Sequence, residues 1–451
     1  MNITRRHDTD MTVGSIPKHL ISFAVPLLIG NVFQQLYNSV DSIVVGNYVG
    51  KEALAAIGCT GSILNTFISF FSGLSAGAGV VISNYYGAKN KEGLQKAVHT
   101  TVILTMILSV IITVAGVFFT PAMLRFMKTP ADVFDEGTIY LRIYFYGVVG
   151  LLFYNTGAGI LRAVGDSRRP LYILIFCALV NTVLDVVFVR NFGWGVAGAA
   201  WATIVAQALS AIVVMVLICR TDAEYKLSVK KLKLSLPILK SVVSIGFPSA
   251  IQMAITSFSN VFVQSYVNNF GSAYMAGWAA YTKIDSFATL PLGSLSLAVT
   301  TFEGQNYGAK EVKRVRSAPK YAIGLGFALL AVMVPLMNGL STQMVSLFSN
   351  DDIVIEYGAY FFHVISPFYF FTCVNQVLTG TLRGTGYSIP AMVILLSSYV
   401  AFRQIYLFTV SKLGFGINAI SLGFPMGWTF CAIALTVFYF TKGRKLMNIQ
   451  I

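Results

Sequence analysis

The chain has 451 residues, of which 56% are hydrophobic and 11% charged, and it carries a net charge of +14. A soluble protein devotes about a quarter of its residues to Asp, Glu, Lys and Arg, so these charges are too few to clothe a water-facing globule, and a mean hydropathy of +0.71 agrees. The composition excludes a soluble enzyme, a nucleic-acid-binding domain, a secreted disulfide scaffold and a disordered chain, and it predicts a polytopic helical membrane protein.

A bilayer crossing takes about 20 apolar residues. After a polar tail, MNITRRHDTDMTVGSIPKHL, which lacks the apolar core and small-residue cleavage site of a signal peptide, apolar runs predict six spans near 18–47, 54–85, 94–119, 137–162, 168–190 and 196–219. Six more follow near 239–269, 274–305, 316–338, 355–382, 388–410 and 419–441. The runs are long and continuous, whereas barrel strands are ~10-residue alternating segments. The expected organisation is an N-terminal lobe over 1–222, a cytoplasmic linker over 223–236 and a C-terminal lobe over 237–451. The Leu/Lys alternation of the linker fits either a membrane-surface segment or a solvated one.

Of the 32 basic residues, 24 fall on the side of the two termini and the even-numbered junctions. Five (Lys51, Arg125, Lys128, Arg190, Lys412) fall on the other side, and Arg142, Lys283 and Arg403 lie inside spans. The positive-inside rule therefore puts both termini in the cytoplasm of a multi-pass cell-membrane protein. The basic balance reflects topology and contact with anionic membrane lipids, not nucleic acid. Five cysteines in apolar runs (Cys59, Cys177, Cys219, Cys373, Cys431) read as small buried hydrophobes.

The two halves repeat. Asn84-Tyr85-Tyr86-Gly87-Ala88-Lys89 recurs as Gln305-Asn306-Tyr307-Gly308-Ala309-Lys310, and Leu161-Arg162-Ala163-Val164-Gly165 as Leu382-Arg383-Gly384-Thr385-Gly386. Gly193-Trp194-Gly195 likewise matches Gly414-Phe415-Gly416, all at the same displacement, and Pro26 pairs with Pro248 one residue off it. With six spans per half, both halves start on the same face and the repeats are parallel, an architecture of secondary transporters.

Ionisable groups inside spans cost roughly 3 kcal/mol or more and mark function. Asp41 on the first span, Asp185 on the fifth and Thr203 on the sixth come to one level, about 8–10 Å below the outer boundary at 1.5 Å per residue. Asn181 lies one turn from Asp185 on the same face. Two carboxylates, an amide and a hydroxyl make a hard oxygen set for Na⁺ or a proton site; separate structural pairing of each acid is the alternative. Gln34, Gln35, Asn38 and Asp41 on the first span, and Gln252, Thr256 and Asn260 on the seventh, form polar stripes that line a wet cavity or hydrogen-bond between helices. Lys283, Asp285 and Arg403 are positioned to pair with one another as structural or gating charges. No phosphate-cradling GxxxxGK[ST] and no HExxH is present, so the chain reads as no enzyme, with no cofactor, drawing on an ion gradient.

These residues carry a resemblance to the multidrug and toxic compound extrusion (MATE) family: Gln34-Gln35…Asp41, the paired span ends above, and Asn181-x-x-x-Asp185. The resemblance covers essentially the whole chain. It implies twelve transmembrane helices in two six-helix lobes around a V-shaped cavity, alternating access, and export of small cationic or amphipathic organic compounds by a monomer against Na⁺ or H⁺. Asp41, Asn181, Asp185 and Thr203 match the cation site of the DinF-like and MepA-like branch. NorM-like members also use acids in spans seven and ten, where this chain has Gln252, and Thr372, Asn375 and Gln376; the resemblance therefore places coupling in the first lobe, with Asn375 and Gln376 as cavity candidates. Pro26 and Pro248 are the expected hinges. A lipid-linked precursor flippase of related fold and an intramembrane transferase are the rival readings.

Overall fold

The computed structural model of the chain describes residues 8–127 and 129–445. Among the described residues there is no strand. In hydrocarbon every backbone N–H and C=O has to be satisfied within the segment, which leaves helices as the form for long apolar runs. Eleven are long and apolar enough to cross a membrane: Ile16–Tyr48, Ala56–Gly87, Lys91–Phe126, Ala131–Ala163, Arg168–Asn191, Gly195–Arg220, Leu236–Phe270, Val312–Gly339, Asp352–Gly384, Ser388–Lys412 and Gly423–Gly443. The eighth span, expected as one run, is two helices, Ser272–Ala288 and Leu290–Gly308, parted at Thr289. Pro291 sits in the first turn of the second piece, where its missing N–H costs no bond.

The repeat is written into the backbone. Left-handed φ values recur 221 residues apart: Lys89 (53°) and Lys310 (62°), Gly165 (86°) and Gly386 (88°), Gly193 (66°) and Gly414 (72°). The bonds that close these helix ends recur too, Asp166 N to Leu161 O at 2.9 Å and Tyr387 N to Leu382 O at 2.7 Å. Even a buried contact is copied: Ser75 Oγ donates to Asn155 O at 3.2 Å and Ser296 Oγ to Gln376 O at 2.8 Å.

The described chain forms two units, Val25–Ala250 with the N-terminal stretch ending at Asp10, and Ile251–Ile451 with Met11–Ala24. The division differs from the expected lobe boundaries: it runs through the first and seventh helices beside Pro26 and Pro248, and the linker is part of the first unit. Tyr225 and Leu227 are buried against that unit's core. The Tyr225 hydroxyl donates to Asp8 Oδ1 at 3.1 Å and accepts from Arg169 Nη1 at 3.2 Å. In the second unit Met11 N donates to Gln305 Oε1 at 3.0 Å and Asn306 Nδ2 to Met11 O at 3.2 Å, so this span-end motif anchors the tail.

Lipid tails are as apolar as leucine, so close packing and hydrogen bonds hold such helices together. In the first unit Gly147, Gly150 and Gly157 of the fourth span lie against Ile204, Ala208 and Val214 of the sixth, with no room for a Cβ. In the second, Gly380 and Gly384 of the tenth span lie as tightly against Ser296, Thr300 and Glu303. Cys177, Cys373 and Cys431 are buried and unbridged.

Candidate functional site

The first span carries Asp41 into the first unit and the fifth span carries Asn181 and Asp185, which are 1% and 0% exposed. The carboxyl groups of Asp41 and Asp185 lie within hydrogen-bonding reach of each other. Among the described residues no N–H or O–H reaches either oxygen of Asp185 or Oδ1 of Asp41, and the amide of Asn181 has no partner. Buried polar atoms are nearly always satisfied, so these oxygens stand out by keeping lone pairs that no described donor uses. Directly after Asp185 the helix widens into a π turn, Val186–Asn191, a distortion frequent at functional sites.

Thr203 is buried on the sixth span, with its hydroxyl donating to Ala199 O at 3.0 Å and its lone pairs left over. Three tyrosines absent from the sequence expectations stand near Asp41: Tyr37, Tyr140 and Tyr144. Gln207 Nε2 donates to Tyr144 Oη at 3.4 Å, while its own oxygen has no partner among the described residues. Helical spacing was the available signal, since Tyr37 stands one turn from Asp41 and Gln207 one turn from Thr203. Gln34 is exposed and bonds Tyr37, Gln35 is half-buried, and the side chain of Asn38 lies outside the described residues.

Several polar side chains of the second unit bond one another. Gln252 accepts from Arg383 Nη2, Thr256 Oγ1 donates to Gln252 O at 2.7 Å, and Asn260 Oδ1 accepts from Arg403 at 3.0 Å. Asn375 Nδ2 donates to Tyr399 Oη at 3.0 Å and Trp428 O at 2.9 Å, and Gln376 is half-buried. Here the expected pairing of Lys283, Asp285 and Arg403 is corrected: none forms an ion pair with another. Asp285 accepts from the hydroxyls of Tyr281, at 3.1 Å, and Tyr369. Lys283 is exposed, because residues two apart on a helix face different ways. Among the described residues no three His, Cys, Asp or Glu gather as a metal site.

The MatE family model matches the chain twice, over residues 26–187 and 248–407, one copy for each half. The chain belongs to the MATE family. It is therefore a multi-pass membrane transporter and not an enzyme, which removes the transferase reading. Among MATE relatives, the probable multidrug resistance protein YpnP of Bacillus subtilis (strain 168) is 29% identical over 447 residues, covering 98% of each chain. The probable multidrug resistance protein YoeA of the same strain is 31% identical over 380 residues, covering 82% of each. A crystal structure of MATE in the bent conformation superposes with a TM-score of 0.92 at 23% identity over 99% of both chains.

Proposed function

We propose that this MATE transporter is a secondary active exporter, moving small cationic or amphipathic organic compounds outward against Na⁺ or H⁺ by alternating access, as a monomer with both termini cytoplasmic. The observation that carries the reading is the Asp41–Asp185 pair, in which Asp185 is buried and, among the described residues, no protein donor reaches either Asp185 oxygen or Oδ1 of Asp41. A carboxylate has no hydrogen to give, so the two acids bond each other only when one holds a proton; with both ionised, their oxygens, the Asn181 amide oxygen and the Thr203 hydroxyl are ligands of the type Na⁺ takes. The relatives named as multidrug resistance proteins support the substrate class.

Ion binding drives export only if the ion and the substrate favour different states. The unit divisions fall within helices beside Pro26 and Pro248, and a proline inside a helix deletes one backbone bond and weakens that point. These are the hinges of the proposed cycle. The test is efflux of a cationic dye from reconstituted vesicles under an imposed Na⁺ or H⁺ gradient. Efflux driven by one of the gradients is expected; movement of a lipid-linked precursor without dye efflux would instead favour the flippase.

A further inference from the structure

We propose that Arg403 is an anion-binding residue of the second unit, receiving the phosphate, carboxylate or sulfonate group of an amphipathic ligand. An arginine side chain keeps its charge at every working pH. Arg403 is 2% exposed, and its partners among the described residues are neutral: Nη2 donates to Ser259 Oγ at 2.9 Å and Asn260 Oδ1 at 3.0 Å, and the guanidinium lies 4.6 Å from the centre of the Phe424 ring. Its Nε is buried and meets no acceptor among the described residues. Asp285 is occupied by two tyrosines, and Glu303, also buried, meets Thr381 Oγ1 at 3.5 Å. A buried cation with only neutral partners lacks the charge that normally offsets its desolvation.

The helix around Arg403 supplies a second observation. Directly before it the eleventh span widens into a π turn, Ser397–Phe402, as the fifth span does directly after Asp185. The repeat displacement of 221 seen in the backbone makes Phe424 the counterpart of Thr203, and Arg403 the counterpart of Thr182, next to Asn181. Where the first unit gathers acids, the second holds a base. A π turn that reverts to α-helix rotates the residues beyond it about the helix axis, which gives the covered guanidinium a route to a ligand. Phe424, with Trp278 stacked on it at 5.8 Å and Trp428 tilted beside it at 5.9 Å, offers the aromatic wall that the apolar body of such a ligand needs.

The proposal stands on the second unit and is independent of ion coupling at Asp41, because binding is read without a gradient. The full chain in phosphatidylcholine nanodiscs is titrated with dodecyl phosphate and with dodecyltrimethylammonium, followed by tryptophan fluorescence and thermal midpoint. Dodecyl phosphate is expected to bind at least tenfold more weakly to Arg403→Gln, with Arg403→Lys in between and the ammonium probe unaffected. Phosphatidylglycerol distinguishes the sources: if a lipid headgroup supplies the anion, that lipid alone stabilises the wild type and competes with dodecyl phosphate; if a free amphiphile does, it does neither. Equal dodecyl phosphate affinity in wild type and Arg403→Gln overturns the proposal. So does a wild type that responds to neither dodecyl phosphate nor phosphatidylglycerol, a result that needs no variant to fold.

Discussion

The carboxyl of Asp41 and the carboxyl of Asp185 meet inside the first unit, while the Asn181 amide one turn away has no partner among the described residues. An unsatisfied buried amide costs about 1–3 kcal/mol, so its presence is a sacrifice of stability. Asn181→Leu should therefore leave the thermal midpoint of the purified protein unchanged or higher, while gradient-driven efflux falls at least tenfold. A variant that melts earlier would show that the amide is structural.

Close helix packing makes a sharper test of the fold. A Cβ on Gly77 would stand 2.2 Å from the Cα of Gly246, backbone against backbone, whereas a Cβ on Gly293 meets nothing within 4 Å. Gly77→Ala should cost about 1–3 kcal/mol by overpacking. Gly293→Ala should be neutral or stabilise by up to about 1 kcal/mol, through helix propensity. Thermal unfolding in detergent reads both.

Asp285 depends on tyrosines and not on Lys283. Tyr369→Phe should cost about 1.5–3 kcal/mol if the acid is charged, as for hydrogen bonds to ionised groups. Lys283→Gln, at an exposed position, should stay within about 0.5 kcal/mol of wild type. Thermal unfolding of the two variants side by side is the check, and the reverse order would restore the ion pair.

The linker is anchored by Tyr225. Burial, and after it the charge of Asp8, pushes its hydroxyl from an ordinary 10.0 up to about 12. A raised folded value means that the protonated form is favoured on folding, so this contribution is complete below pH 10 and is lost as the pH rises through about 12. Between pH 6 and 9, Tyr225→Phe should lower stability by a constant amount, about 0.5–1.5 kcal/mol. A pH-dependent difference in that range would contradict the assignment.

Much of this was legible in the amino acids. Apolar runs set the spans, and repeated motifs set the two halves, because hydrocarbon permits so few backbone solutions. The meeting of Asp41 and Asp185 followed from counting residues down from the outer boundary. The tyrosines around them did not, since depth along a helix says nothing of which face it turns toward its neighbours. Lys283 and Asp285 show the opposite failure: charge complementarity invited a pair that a spacing of two on a helix forbids. The break at Thr289 was hidden because both pieces of the eighth span are apolar, and Pro291 signals a helix start as readily as an interior position. Leu/Lys alternation left the linker open; only the core under Tyr225 and Leu227 decides its place.

The central claim is that Asp41 and Asp185 bind the driving ion. Its most direct test is dye efflux from vesicles containing wild type, Asp41→Asn, Asp185→Asn or the double variant, at matched protein and with the imposed gradient present or collapsed. Groups that act as a unit are non-additive, so each single variant should lose nearly all gradient-driven efflux and the double should lose no more. Efflux near the wild-type rate in Asp41→Asn, still responding to the gradient, would contradict the account.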